Sequence, residues 1–419
     1  MTQRGATIDE ALALPAFARD PYPTYHRLLE LGSPYPSEAR RGWLVARFDQ
    51  VVGALRDWEQ LSSEGRVRTM LDHFSAAEWE ELSGLARWSS LKGIIHSDPP
   101  DHPRLRALLS TAFTRRVVEE IRPDVQRIVD GLLDEVQDEG SMEVVADLAA
   151  VLPAAVISEM LGVPATDRLK FMAWSDTVLG LQGNQRPSLD VALRAQDAYT
   201  CLQEYFESLI DDRRRNPRRG AEREDLLTGM IVAADEDEGI AHADLVQSCV
   251  TLLMGGFETT TSLIANTVVL LLQHREQLNR LRAAPALMDR VIEESLRYES
   301  PIQTITRRVA EDVRIGDEVL REGDLAILMI GAANRDPRQF VEPDRFDIGR
   351  ESRQIAFGFG IHFCVGAPLA RLEAPIAVSS MLRRLPDLEL ADAEISWNVE
   401  KTVVRCPARL PVTFSRSRS

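Results

Sequence analysis

Cysteine is scarce in this chain of 419 residues: four occur (Cys201, Cys249, Cys364 and Cys406), and no two form a CxxC pair. Four are too few to staple a chain of this length, which excludes a disulfide framework and points to a reducing, cytoplasmic setting. Net positive charge is also lacking, because acidic residues exceed basic ones by 16. A protein that grips the nucleic-acid backbone needs a basic face to displace counterions, so nucleic acid is not an expected partner. Met1–Asp20 holds no continuous apolar h-region, so neither a secretory leader nor a membrane anchor is read there. Long Gly/Ser linkers and internal repeats are missing as well. One compact domain over 1–419 is therefore expected, with 1–20 and 415–419 as flexible termini. What is present, 44% hydrophobic and 27% charged residues, is the balance of a soluble globular protein.

Helical periodicity dominates. Tyr25–Leu31 reads as a short helix after Pro21 and Pro23, Gly42–Phe48 as a strand, and Asp49 as the N-cap of the helix that follows. Val117–Val136 places Val118, Ile121, Val125, Ile128, Val129 and Leu132 at three- and four-residue steps, which predicts one amphipathic helix. Strand signals collect in Val313–Met329 and Leu388–Phe414, so the fold class is mainly α with a minor β region. Asp211–Asp225 interleaves six arginines with five acids and is broken by Pro217 and Gly220, the pattern of a solvated loop. Leu245–Gln273 is a stretch of 29 residues whose only charge is Glu258. That is long enough to span a bilayer, but Gln247, Ser248, Asn266 and several threonines are too polar for lipid. A central helix of roughly 43 Å is the consistent reading.

The sharpest chemical signal is Phe357–Glu373, FGFGIHFCVGAPLARLE. Three glycines (Gly358, Gly360, Gly366) frame Cys364, and a helix-forming run begins at Pro368. Such a loop turns tightly and aims backbone amides at the sulfur, and the helix N-terminus favours thiolate over thiol. With no second cysteine nearby, zinc or iron–sulfur ligation is poor, and a single thiolate on haem iron fits best. The central helix carries a second signal, GGFETT at Gly255–Thr260. A carboxylate buried in a helix must be paired, hydrated or protonated, so Glu258 marks either a local opening of the helix beside water or an ion pair with a buried arginine. Glu294 and Arg297 share a helix face, as do His102 and Arg106 in the helix expected after Asp98-Pro99-Pro100.

Phe357, Gly360, His362, Cys364 and Gly366 satisfy F-x-x-G-x-[HR]-x-C-x-G, and on this segment the chain resembles the cytochrome P450 family. Further family features run from about residue 20 to the C-terminus, in the manner of the soluble bacterial members. The resemblance implies the P450 fold, with the long central helix over haem b (iron protoporphyrin IX) and Cys364 as the axial ligand. It implies Glu258 and Thr259 as an acid–alcohol pair at the oxygen groove. Glu258 would relay protons, and Thr259 would hydrogen-bond the bound oxygen so that O–O cleavage prevails over peroxide release. His102, Arg106, Arg307 (with Arg308 as the alternative) and His362 would hold the haem propionates. Glu294, Arg297 and Arg345 would form a buried structural triad. The remaining histidines, His26, His73, His96, His242 and His274, show no metal spacing.

By the same resemblance, the substrate is a hydrophobic small molecule. Its pocket would be lined between the Gly65 region and His96, near Leu179–Gln185, at Leu253 and Phe257, at Ile302–Ile305 and near Thr402–Val404. Arg66, Arg68 and Arg87 would either reach an acidic substrate or lie on the surface. Arg115, Arg116, Arg335, Arg338 and Arg371 would form a basic patch for an acidic ferredoxin, or be scattered and solvated. The implied activity is a haem-thiolate monooxygenase that inserts one atom of O2 by hydroxylation or epoxidation, plausibly of a secondary metabolite, terpenoid, steroid or polyketide. Electrons would come from NAD(P)H through a reductase and a ferredoxin. The rivals are a peroxide-driven peroxygenase and a non-catalytic haem-thiolate binding protein. Two positions depart from the family pattern: Gly255 stands where alanine is frequent, and Glu258 replaces the common aspartate.

Overall fold

The structure, a computed structural model, describes residues 6–110, 113–182, 186–216, 225–237, 239–351, 353–399 and 403–416. The chain divides into two compact units, one of Met1–Ser62, Ile121–Leu152 and Thr259–Ser419, the other of Ser63–Glu120 and Pro153–Glu258.

The first unit holds every strand among the described residues. A five-stranded sheet runs in the order Tyr35–Ser37, Gly42–Val45, Leu325–Leu328, Ile305–Val309, Leu61–Ser62. Gly42–Val45 pairs with Leu325–Leu328 in parallel, and the other pairings are antiparallel. Its apolar face packs Val45, Val51, Leu55, Val309, Leu328 and Ile355 into one core, and Phe359 of the cysteine loop leans on it. Burial alternates along Ile305–Val309, so Arg307 and Val309 are buried while Arg308 on the opposite face is half-buried. Three smaller sheets pair Val313–Ile315 with Glu318–Leu320, Ser396–Trp397 with Pro407–Arg409, and Pro411–Thr413 with both Ser141–Glu143 and Glu389–Leu390. Strands therefore form in both segments where β signals collect, and the sequence signal missed Ile305–Val309.

Local chemistry corrects several boundaries. The Gly42 strand ends at Val45, and Phe48 already begins a helix with Arg47 at the N-cap. Asp49 therefore sits in the first turn, where it meets the positive helix end rather than capping it. The periodic run around Val125 is two helices, Arg115–Glu120 and Arg122–Val136, with Ile121 between them and Pro123 at the start of the second. The first twenty residues, expected as a loose terminus, are helical over Ile8–Ala13 and Pro15–Arg19. Ile8 and Leu12 join the core around Tyr25 and Leu28. Arg405 anchors the same segment by donating to the carbonyls of Ala18 and Arg19, both at 2.9 Å, while pairing with buried Glu299.

The regular elements among the second unit's described residues are all helices. Arg168–Gln182 packs along Leu189–Arg215 through Phe171, Tyr205 and Phe206. The arginine-rich segment opens as helix. Leu189–Arg215 remains helical through its first three arginines, and 217–224 lie outside the described residues. Arg213, expected in solvent, is buried against Asp225, which caps Leu226–Glu236 through the Thr228 amide. Burial alone would raise the Asp225 carboxyl, but its bonds to Arg213 and Thr228 hold it below the usual range. A depressed carboxyl adds stability above its unfolded value, and that contribution is lost as pH falls through the folded value. Asp225→Asn is therefore expected to lower the urea midpoint at neutral pH, with the gap to the parent closing as acid protonates the Asp225 carboxyl below its ordinary range. An equal loss at neutral pH and in acid would remove this pair from the acid response.

Candidate functional site

The cysteine loop follows from its glycines. Gly358 and Gly360 hold φ of +74° and +72°, a region that side chains strain to enter. A Cβ on Gly360 would also lie 2.7 Å from the Leu55 carbonyl oxygen, so this glycine is needed twice over. A Cβ on Gly366 would come within 3.9 Å of Cys364 Sγ, so the absence of a side chain leaves room beside the sulfur. The turn closes when the Cys364 amide donates to the Phe357 carbonyl at 2.9 Å. The helix Ala367–Arg384 then begins with Gly366 as N-cap and Pro368 in its first turn. Cys364 is thus exposed, not disulfide-bonded, and just ahead of a positive helix end. Among the described residues, no group of three or more His, Cys, Asp or Glu could hold a metal. A porphyrin brings four nitrogen ligands of its own, so one cysteine thiolate is enough protein ligation for haem iron.

The other candidates fall in both units. Thr259, Arg307, His362 and Cys364 belong to the first, and His102, Arg106 and Glu258 to the second. His362 ends a short 3-10 turn, Gly360–His362, and is half-buried. Arg307 is buried, 4% exposed, and donates to the Thr306 carbonyl at 3.1 Å. The strand's alternation thus favours it over Arg308 as the inward cation. The helix Asp101–Ser110 buries His102 and half-buries Arg106 on one face, as their spacing requires. Glu258 is 6% exposed, and the α-helix His242–Gln273 runs uninterrupted through Gly255–Thr260. The expected opening of the helix is therefore not seen, although a Cβ on Gly255 would meet no atom within 4 Å.

Glu294 and Arg297 are both fully buried and form a forked pair at 2.7 and 2.8 Å. Arg297 also donates to the carbonyls of Asn334, Pro343 and Arg345. The second arginine on Glu294 is Arg350, at 3.2 Å, and not Arg345. Arg345 lends only its carbonyl, because its side chain points away beside buried Phe346 and pairs with Glu342 at the surface. Arg350 lies five residues past Arg345, and no spacing rule marked it. Glu373, on the cysteine helix, is another buried acid that the sequence reading passed over. Burial pushes its carboxyl well up, and its Oε2 has no hydrogen-bond partner.

The proposed basic patch loses Arg335. Arg335 is 2% exposed, lies 3.4 Å over the Tyr298 ring and donates to Asp344. Arg371 is bound by Glu293. Arg115, Arg116 and Arg338 are exposed. Of the apolar positions, Leu253, Phe257 and Val404 are buried, and Ile302 bridges Val404. Arg68 and Arg87 are exposed, whereas the Arg66 side chain, residues 183–185 and Thr402 lie outside the described residues.

A sequence model of the cytochrome P450 family matches residues 73–394. This chain is a cytochrome P450. It is 38% identical to the cytochrome P450 monooxygenase PikC of Streptomyces venezuelae, over 100% of this chain and 98% of that protein. It is 39% identical to nocardicin C N-oxygenase of Nocardia uniformis subsp. tsuyamanensis, over 92% of each. Among solved structures, P450BioI in complex with an acyl carrier protein ligated to hexadec-9Z-enoic acid superposes with a TM-score of 0.86 at 34% identity. That match covers 96% of this chain and 99% of that one. As a P450, the protein is a haem-binding monooxygenase of mainly helical fold with small sheets. P450 chemistry draws on O2, a hydrophobic substrate and external electrons. Among the described residues, no helix is long and apolar enough to cross a membrane.

Proposed function

We propose that this P450 oxygenates a hydrophobic secondary metabolite, taking electrons from NAD(P)H through a reductase and a ferredoxin in the cytoplasm, with the whole chain acting as one catalytic domain. The observation that carries the reading is Cys364, exposed in a glycine-built loop before a helix N-terminus. The single-domain reading is supported by relatives that align over nearly their whole length. The substrate class is supported by the apolar character of the positions the resemblance assigns to the pocket: Leu253 and Phe257 are buried in the second unit, and in the first Ile302 bridges buried Val404. A carrier-bound acyl chain, as in the P450BioI complex, is a second form such a substrate can take.

Bound haem supplies dioxygen activation and the oxidising equivalent. Cys364 would hold the iron as thiolate. His102, Arg106, Arg307 and His362 would bind the two propionates by charge-assisted hydrogen bonds. Glu258 would move a proton at its carboxyl, through an arm one methylene longer than the common aspartate, and the Thr259 hydroxyl would donate a hydrogen bond beside it. This pair favours the monooxygenase reading over a peroxide-driven peroxygenase, which can dispense with it. Thr259→Ala should keep haem but divert reducing equivalents to hydrogen peroxide. The ratio of product to NAD(P)H consumed is then expected to fall by about tenfold or more. An unchanged ratio would take Thr259 out of proton delivery, and turnover by peroxide alone would favour the peroxygenase.

A further inference from the structure

We propose that Glu293 and Arg371 are positioning residues for the Cys364 loop, tying the segment before it and the helix after it to one carboxylate. Glu293 lies on the helix Met288–Tyr298 beside Glu294. Glu294 turns inward to Arg297, while Glu293 faces the cysteine segment. Arg371, on the helix that leaves the loop, grips Glu293 with both ends of its guanidinium, Nε to Oε1 at 2.6 Å and Nη2 to Oε2 at 3.1 Å. Gln354, ahead of the loop, donates to the same Oε2 at 3.0 Å, and its own Oε1 accepts from the Ala356 amide at 2.5 Å. The Arg371 guanidinium also lies 4.6 Å over the Phe357 ring. Phe357 is the residue whose carbonyl accepts the Cys364 amide.

A continuous set of contacts thus runs from the Cys364 backbone through Phe357, Arg371 and Glu293 to Gln354. The loop contains two glycines at positive φ and has little stiffness of its own. A tether at both flanks removes freedom that the glycines would otherwise leave to the sulfur. The pair is half-exposed, with side chains 39% and 29% accessible, so it adds little to global stability. Its geometry is nonetheless bidentate and stacked, which suits an arginine and not a lysine. The effect is therefore expected in ligand retention, not in unfolding.

The proposal rests on Cys364 as the haem ligand, and the experiment separates the two. Haem-loaded protein is reduced and exposed to carbon monoxide. The red-shifted thiolate Soret band is followed as it converts to the blue-shifted band of displaced thiolate, with the thermal midpoint read by circular dichroism. Arg371→Ala and Glu293→Ala are expected to convert about fivefold faster than the parent, with midpoints within about two degrees of it. The double variant should convert no faster than either single one, because the two act as a unit. Arg371→Lys should rescue only in part. Rates equal to the parent, or acceleration that follows a falling midpoint, would overturn the positioning role while leaving the ligand assignment intact. A parent without the red-shifted band overturns the ligand assignment, and the proposal with it.

Discussion

Cys364→Ser is expected to abolish the red-shifted ferrous carbonyl band completely while the protein stays folded. The substitution changes one atom. The Cys364 amide still donates to Phe357, the glycines keep their positive φ, and the space at Gly366 remains. What is lost is an ionisable sulfur, for an alcohol does not ionise near neutral pH, even at a helix N-terminus. The matched control is Cys249→Ser. Burial pushes the Cys249 thiol up to about 12, so it is neutral, and it is packed inside the central helix. Placing a hydroxyl there should cost about 1–3 kcal/mol of stability and leave the carbonyl spectrum unaltered. Carbonyl spectra of parent and both variants decide the matter. A red-shifted band surviving in Cys364→Ser would place the iron ligand elsewhere.

The cysteine loop was legible because its demands are local. Tight turns need glycine, a thiolate needs a positive helix end, and both sit within a few residues of Cys364. The central helix was legible for a related reason, since a long run with one charge has few places to go. Arg350 was not legible, because whether it or Arg345 reaches Glu294 depends on how the segment after Pro343 folds, and the motif Pro343–Phe346 does not fix that. Arg335 and Arg213 were misjudged in the same direction. An arginine in a polar stretch reads as solvated, yet tertiary contacts placed Arg335 over Tyr298 and Arg213 against Asp225. The split of Val117–Val136 at Ile121 shows the limit of periodicity. The apolar stripe continues from Val118 to Val125, but Pro123 starts a new helix beneath it.

The same buried pair yields the largest stability effect expected from a single side chain. Arg297 is 0% exposed and donates to Glu294 and to three backbone carbonyls. Burial pulls its guanidinium below the ordinary value, and Glu294 offsets part of that. Removing the cation leaves a fully buried carboxylate facing only Arg350 and the Asp347 amide. Breaking a buried pair from one side costs about 3–5 kcal/mol, a large share of the roughly 5–15 kcal/mol that holds a domain together. Arg297→Ala should therefore be recovered mostly without haem, or unfolded. The graded comparison is more informative. Arg350→Ala removes the bond to Glu294 together with those to the Val341, Glu342 and Arg345 carbonyls and should cost about 1–3 kcal/mol, whereas Arg345→Ala removes an exposed ion pair and should stay within about 0.5 kcal/mol of the parent. Urea midpoints and haem content of the two variants distinguish the assignments. If Arg345→Ala is the damaging one, the triad is completed by the residue the motif pointed to, and the bond from Arg350 contributes little.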